Sequence, residues 1–227
     1  MQPVPDMRYE IKVVARHEAL SLLRMLIMNH SAGFTTVFPK RHVNNVYFDS
    51  LDMKCLEEHL SGCSRRSKIR FRWYGDTRAQ VFGVMEIKHK HDRLGWKESV
   101  VIDHPVDLTT MSWIEIYRIL YEKSTPAIKL MLADRSTPVF INTYLREYYA
   151  SRSTGVRITL DSDHHAYDQR METRASFKMP LLTPRRVILE FKSQQHEREA
   201  LEEVLDKFPL RPTRNSKFVS CAYSTLY

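Results

Sequence analysis

The sequence predicts an α+β protein whose antiparallel strands curl into a closed β-barrel with a charged interior and a jacket of helices. Predicted strands outnumber helices, and many follow one another directly, which favours antiparallel pairing over a doubly wound sheet. Along these strands long charged side chains alternate with large apolar ones, so each strand carries one charged and one apolar face. The charged faces are mostly cationic and recur in five strands. A single such strand is explained by an ordinary half-exposed sheet. Five laid flat would repel one another, whereas curled around an anion they become favourable, and closure also removes the sheet edges.

In chain order, Arg8 to Val13 reads as a strand, with Arg8, Glu10 and Lys12 on one face. Arg16 to Asn29 reads as an amphipathic helix, with Leu20, Leu23, Leu26 and Ile27 on one side. Asn44 to Asp49 is a strand, and Leu51 to Leu60 a short helix with Ser50 as its N-cap. Three strands follow. In Ser67 to Tyr74, Lys68, Arg70 and Arg72 oppose Ile69, Phe71 and Trp73. In Phe82 to Lys90, Glu86, Lys88 and Lys90 oppose Met85 and Ile87, and the third strand is Gly95 to Ile102. A mostly helical insertion is expected at about 109–132, in a single domain spanning 1–227. Strands resume at Val139 to Ala150 and at Val156 to Asp161, where Arg157, Thr159 and Asp161 share a face, with a short strand at Ala166 to Gln169. Arg186 to Lys192 places Glu190 and Lys192 opposite Leu189 and Phe191. Glu197 to Lys207 and Ser216 to Tyr223 read as helices. The apolar strand faces would then point outward, under the helices at 16–29, 51–60 and 112–132.

With 43% hydrophobic and 27% charged residues in 227, the chain can bury a core and is not of disordered composition. No stretch approaches the roughly 18–20 apolar residues of a spanning helix. Met1 to Lys12 lacks the apolar region of a signal peptide, so a cytoplasmic location is expected. Three cysteines without C-x-x-C spacing speak against a disulfide framework or a structural zinc site. A formal charge of +8 suggests a polyanionic partner. Neither a P-loop nor a G-x-G-x-x-G motif is present. One ion pair at 4 Å is worth roughly 4 kcal/mol at an effective dielectric of about 20. Several cations around one triphosphate therefore offset their own desolvation, while each buried cation left alone costs several kcal/mol.

Nine short segments occur in an order that resembles a known family: Arg-Tyr-Glu-Ile-Lys (8–12), Val-Tyr-Phe-Asp-Ser (46–50), Lys-Ile-Arg-Phe-Arg-Trp-Tyr-Gly (68–75), Glu-Ile-Lys (86–88), Trp-Lys-Glu-Ser (96–99), Tyr-Leu-Arg-Glu (144–147), Val-Arg-Ile-Thr-Leu-Asp (156–161), Leu-Glu-Phe-Lys (189–192) and Asn-Ser-Lys-Phe (215–218). Together they resemble the VTC domain, the polyphosphate-polymerase domain of the vacuolar transporter chaperone complex, in the triphosphate-tunnel (CYTH-like) superfamily. The resemblance runs from Arg8 to Phe218. It implies a triphosphate tunnel and a metal-dependent transfer of the γ-phosphate of ATP to a growing polyphosphate chain. By this resemblance Lys12, Arg70, Arg72, Lys88, Arg146, Ser216 and Lys217 hold the phosphates, and Lys97 and Arg157 match further basic tunnel positions. Arg8 and Lys192, on the same charged faces, join them as substrate-binding residues. Arg214 stands where the polymerase has Lys, which keeps the charge and changes the geometry. Glu190 matches the carboxylate that binds Mn²⁺ or Mg²⁺, and Glu10 is named with it as a metal residue. Triphosphatases of the superfamily begin Glu-x-Glu-x-Lys; Arg8 replaces the first Glu here, which leans towards transfer, while Glu10 is retained.

Phosphoryl transfer needs positioning and charge stabilisation more than a nucleophilic side chain. The expected partners are ATP, polyphosphate, and pyrophosphate or triphosphate. No nucleic acid and no membrane segment is expected, and a membrane partner protein is left open. Three alternatives stand beside polymerisation: a tunnel triphosphatase, a non-catalytic polyphosphate-binding module, and a nucleic-acid binder, which would need exposed cations. Weaker signals have plainer readings. The His residues of Lys88–Arg93 face outward as a solvated strand end, and His164–His165 falls in a turn. Tyr74, Tyr144 and Tyr148 either stack on a base or fill the tunnel mouth.

Overall fold

Short polar turns between alternating segments turn the middle of the chain into consecutive hairpins, and the rest of the sheet grows outward from them. A computed structural model describes residues 7–92, 94–213 and 215–224. The strands are β1 (Arg8–Arg16), β2 (Phe34–Asp49), β3 (Arg65–Tyr74), β4 (Val81–His91), β5 (Leu94–Val106), β6 (Thr137–Ser151), β7 (Arg157–Asp168) and β8 (Arg186–Gln194). Between and after them come α1 (Leu20–Met28), α2 (Lys54–Leu60), α3 (Trp113–Glu122), α4 (Pro126–Asp134), α5 (Arg198–Asp206) and α6 (Lys217–Ser224). The eight strands are antiparallel and close in a ring in the order β1-β5-β4-β3-β2-β6-β7-β8. β8 returns to β1 through nine residue pairs, from Arg8↔Gln194 to Arg16↔Arg186. The opposite seam of β1 is narrow, with only Arg8↔Gly95 and Tyr9↔Leu94 paired to β5.

The apolar core lies outside the ring. Ile69, Phe71 and Trp73 of β3 and Met85 and Ile87 of β4 are buried in one cluster with Trp113, Ile116 and Leu120 of α3 and Ile128 and Leu132 of α4. Val13, Ile158, Leu160, Leu189 and Phe191 form a second with Leu23 and Ile27 of α1 and Leu201 and Val204 of α5. Each fully buried side chain of this size contributes roughly 1.5–3 kcal/mol, so these outer clusters drive folding. α3 starts with a capping box, in which Ser112 accepts from the Glu115 N–H and Glu115 accepts from the Ser112 N–H. Thr125 caps α4, with Pro126 in its first turn.

α6 belongs to a third cluster and reaches inside. Phe218 packs on the inward-facing Tyr47 and Phe140, with ring centroids 5.4 Å apart in both contacts. It therefore ties the start of α6 to the inner faces of β2 and β6. Among the described residues no helix is long and apolar enough to cross a membrane.

Several expectations need correction. β2 starts ten residues before Asn44, because Phe34–His42 is mostly exposed and carries Pro39, so alternation is lost there. Register shifts between Thr36 and Arg41 absorb the proline. The helix expected at 16–29 is a 3₁₀ turn at His17–Ala19 followed by α1. α2 begins at Lys54, not Leu51. Met53 there is left-handed (φ 57°); Ser50 Oγ accepts the Lys54 N–H, and the Asp49 carboxylate accepts those of Cys55 and Leu56. His164–His165 lies within β7, which runs on past Asp161 through a bulge at Asp163 (φ 51°). Here the left-handed residue supplies the reversal that otherwise suggests a turn.

The hairpins leave one close approach. A methyl on Gly83 of β4 would stand 2.5 Å from the Arg72 carbonyl and 2.6 Å from the Phe71 ring. Gly83→Ala should lower stability by about 1–3 kcal/mol, measured by urea denaturation.

Candidate active site

The same alternation that buries apolar side chains outside the ring fixes what points inward. Arg8, Glu10 and Lys12 of β1 face a cavity of about 230 Å³, with Lys68, Arg70 and Arg72 of β3, Glu86, Lys88 and Lys90 of β4, and Lys97 of β5. Tyr144 and Arg146 of β6, Glu190 and Lys192 of β8, and Asn215 to Phe218 at the start of α6 complete its wall. Twelve Lys or Arg and three Glu line it.

Buried carboxylates organise most of these cations. Glu86 takes the Arg70 guanidinium at 2.6 Å and the Lys97 ammonium at 3.0 Å, with Arg72 at 3.9 Å. Asp161 accepts two bonds from Arg146, at 2.6 and 2.7 Å, and one from Lys217 at 2.5 Å. Glu190 meets Lys192 at 3.1 Å, Arg146 at 3.5 Å and Lys12 at 3.6 Å. Glu10 receives Lys88 at 2.6 Å. Neutral groups finish the positioning: Asn45 accepts from Arg72 at 2.8 Å, and the Arg70 guanidinium donates to the Tyr47 hydroxyl at 3.0 Å.

Ionisation follows from these contacts. Burial disfavours the Glu86 carboxylate, but Arg70, Arg72 and Lys97 outweigh it and hold its pKa well below the usual range. Burial likewise opposes ionisation of Asp161, and Arg146 and Lys217 overcome it. Glu190 is held down against burial by Lys192, Lys12 and Lys88, and Glu10 mainly by Lys88. Lys192 is lowered to about 8, because burial exceeds the pull of Glu190. Tyr144 is also lowered to about 8, its burial outweighed by Arg146, Arg72 and Lys217.

The candidate ligands for a divalent cation lie on one wall. Glu10 and Glu190 stand on neighbouring strands, in the register Glu10↔Lys192 and Lys12↔Glu190, close enough that Glu190 pushes the pKa of Glu10 upward against its lysine partners. Two carboxylates suit a hard ion that takes its remaining ligands from water and phosphate oxygens. Among the described residues no group of three His, Cys, Asp or Glu side chains is arranged to hold a metal by itself.

Of the residues singled out in the sequence, Arg8, Glu10, Lys12, Arg70, Arg72, Lys88, Lys97, Arg146, Glu190, Lys192, Ser216 and Lys217 all line this cavity. Arg157 does not: it is exposed at the first position of β7, where the inward face has already reached the rim. Arg214 lies outside the described residues. Arg66, Lys68, Glu86, Lys90 and Asp161 were not singled out as site residues, although the alternation already set Lys68, Glu86, Lys90 and Asp161 on the charged faces. Tyr144 is buried beneath Arg146 and Lys217, whose charges lie 5.1 and 4.7 Å from its ring, so it is a floor and not a stacking platform. Tyr74 and Tyr148 stand at the rim with Arg41, 4.0 and 5.1 Å from their rings. His89 is not a solvated strand end: it stacks on Trp96 at 4.9 Å and bonds Ser67 at 2.7 Å and Glu98 at 3.0 Å.

Among solved structures, the chain is similar to a putative adenylyl cyclase from Hippeastrum described as having a dominant triphosphatase activity. The two are 17% identical over 93% of this chain and 92% of that one, with a TM-score of 0.52. It is also similar to a protein from Pyrococcus horikoshii, 14% identical over 96% of this chain and 99% of that one, with a TM-score of 0.51. At these identities the likeness is one of fold. No curated protein sequence matches the chain. The VTC domain matches residues 7–226, nearly all of the sequence. The eight-stranded ring and its lining are thus those of a chain that belongs to the VTC domain family.

Proposed function

We propose that the ring is a triphosphate tunnel and that the protein is a metal-dependent polyphosphate polymerase, transferring the γ-phosphate of ATP to a polyphosphate chain. The observation that carries this reading is the convergence of cations from β1, β3, β4, β5, β6, β8 and α6 on one cavity, most of them held in place by buried carboxylates. Membership of the VTC domain family supports it.

In this reading Arg70 and Arg72 on one wall and Arg146 and Lys217 on the facing wall grip the phosphates, Arg offering planar paired donors. Lys12, Lys88, Lys97 and Lys192 supply further charge. Glu86 and Asp161 do not touch the phosphates. They fix the guanidinium groups beforehand, so little reorganisation remains when charge develops. A terminal phosphate oxygen of the chain attacks the γ-phosphorus in line. The bond from that phosphorus to the oxygen bridging to ADP breaks, and ADP leaves with the electron pair. When bound at Glu190 and Glu10, Mn²⁺ or Mg²⁺ supplies charge neutralisation of phosphate oxygens. A water molecule in place of the chain gives triphosphatase activity. That second reading is favoured by the retained Glu10 and by the activity described for the Hippeastrum protein.

Purified protein given ATP and Mn²⁺ should produce a polyphosphate ladder on a gel. Free phosphate alone would identify a hydrolase, and unchanged ATP a binding module. Glu190→Gln should abolish metal-stimulated turnover, and Arg70→Ala should reduce turnover at least about a hundredfold.

The cavity should also respond to pH. A lysine whose folded pKa is lowered loses its charge on the way up, so above about 8 the Lys192 ammonium becomes neutral while Tyr144 gains a negative charge. Both changes disfavour an anion. Calorimetric affinity for tripolyphosphate should fall as pH rises from about 7 to about 9, and Lys192→Arg should flatten that profile.

A further inference from the structure

The guanidinium groups of Arg70, Arg72 and Arg146 all face the cavity, but they are not held in the same way. Arg70 makes two bonds to one Glu86 oxygen, at 2.6 and 2.9 Å, and Arg146 makes two to Asp161, at 2.6 and 2.7 Å. In both, the partner that orients the group also offsets its charge. Arg72 is different. Its Nε donates to the Asn45 side-chain oxygen at 2.8 Å and its Nη2 to the Tyr144 hydroxyl at 3.3 Å. Glu86 stands 3.9 Å away, through the oxygen that already takes both Arg70 bonds. Among the described residues Arg72 makes no hydrogen bond to a carboxylate.

The sheet places Asn45 for this task. Arg72 of β3, Asn45 of β2 and Asn142 of β6 stand side by side on three neighbouring strands, in the pairs Asn45↔Arg72 and Asn45↔Asn142. A guanidinium offers only donors, so Asn45 must turn its oxygen towards Arg72. Its amide nitrogen then points the other way and donates to the Asn142 oxygen at 2.8 Å. Asn142 in turn points its own nitrogen at the Cys221 sulfur of α6, at 3.9 Å. Asn45 is wholly buried and Asn142 nearly so. A buried amide is costly unless its polar ends are bonded, and both ends of Asn45 are.

We propose that Asn45, backed by Asn142, is a positioning residue that orients Arg72 without neutralising it, so that Arg72 brings the least compensated of these three guanidinium charges to the ligand. This rests on the phosphate reading of the cavity and holds for transfer and hydrolysis alike. An aspartate at position 45 would have nearly the same size and would accept the same Arg72 bond, but it would also cancel the charge. The amide fixes the direction of the group and leaves its charge to the ligand. The distinction is large in an enclosed site, where an ion pair is worth several times its value in water.

The test measures the affinity of the full chain for inorganic tripolyphosphate by calorimetry. Asn45→Asp should weaken it at least about tenfold, although the bond to Arg72 is kept. Asn45→Leu, similar in size and unable to accept, should weaken it about fivefold or more. In an Arg72→Met background, Asn45→Leu should cost less than about twofold further, because no guanidinium is left to orient. The same loss with and without Arg72 would make Asn45 a packing residue only and overturn the proposal. So would undiminished affinity in Asn45→Asp. If position 45 tolerates neither change, Asn142→Leu carries the same comparison: its loss should disappear in the Arg72→Met background, and its persistence there overturns the proposal. A wild type that does not bind tripolyphosphate would overturn the phosphate reading and this inference with it. A wild type that binds, with variants that bind equally well, would overturn this inference alone.

Discussion

Cations turned inward are tolerable only because carboxylates are buried with them. Glu86, Asp161, Glu190 and Glu10 each hold one to three Lys or Arg side chains, and their own burial is offset by those contacts. The cost of desolvating either sign alone is several kcal/mol per ion, so neither set could be enclosed without the other. Cations enclosed without counter-charges would require an empty cavity to stay wet or to hold anions. For the walls bearing Arg70, Arg72, Arg146 and Lys217, fixed internal counter-charges take over much of that duty. They also stop the guanidinium groups from wandering, since two-point contacts such as Arg146 to Asp161 specify orientation as well as distance.

This interior makes an inverted arrangement necessary. A sheet with charge inside must find its hydrophobic driving force on its convex side, and that side must be covered. α3 and α4 cover the outer faces of β3 and β4, while α1 and α5 cover those of β1, β7 and β8. These four helices therefore pack on the side of the sheet away from the cavity's cations. Their work is to hold the strands in the register that sets Arg70 across from Glu86 and Lys12 across from Glu190.

Much of this was legible in the sequence because a strand has a period of two. Once Lys68-Ile69-Arg70-Phe71-Arg72-Trp73 is taken as extended, both the inward cations and the outer core follow. Ring closure was inferred from repulsion among like faces, and the strands do close. The failures have equally local causes. Periodicity cannot say where a strand leaves the enclosed region, so Arg157 shares a face with Asp161 yet ends exposed. The early half of β2 was hidden by exposure and Pro39. Glu86 and Asp161 were seen on charged faces, but their role as organisers depends on strands distant in sequence, such as Asp161 reaching Lys217 across 56 residues. Composition and spacing carry no trace of that pairing.

One consequence follows from α6, whose first turn lines the cavity while Phe218 packs against Tyr47 and Phe140. One helix thus supplies both a charged lining group and an apolar anchor. Any displacement of it would take Lys217 from Asp161 and Phe218 from its aromatic neighbours in the same movement, so the charge of the lining and the packing of that cluster change together.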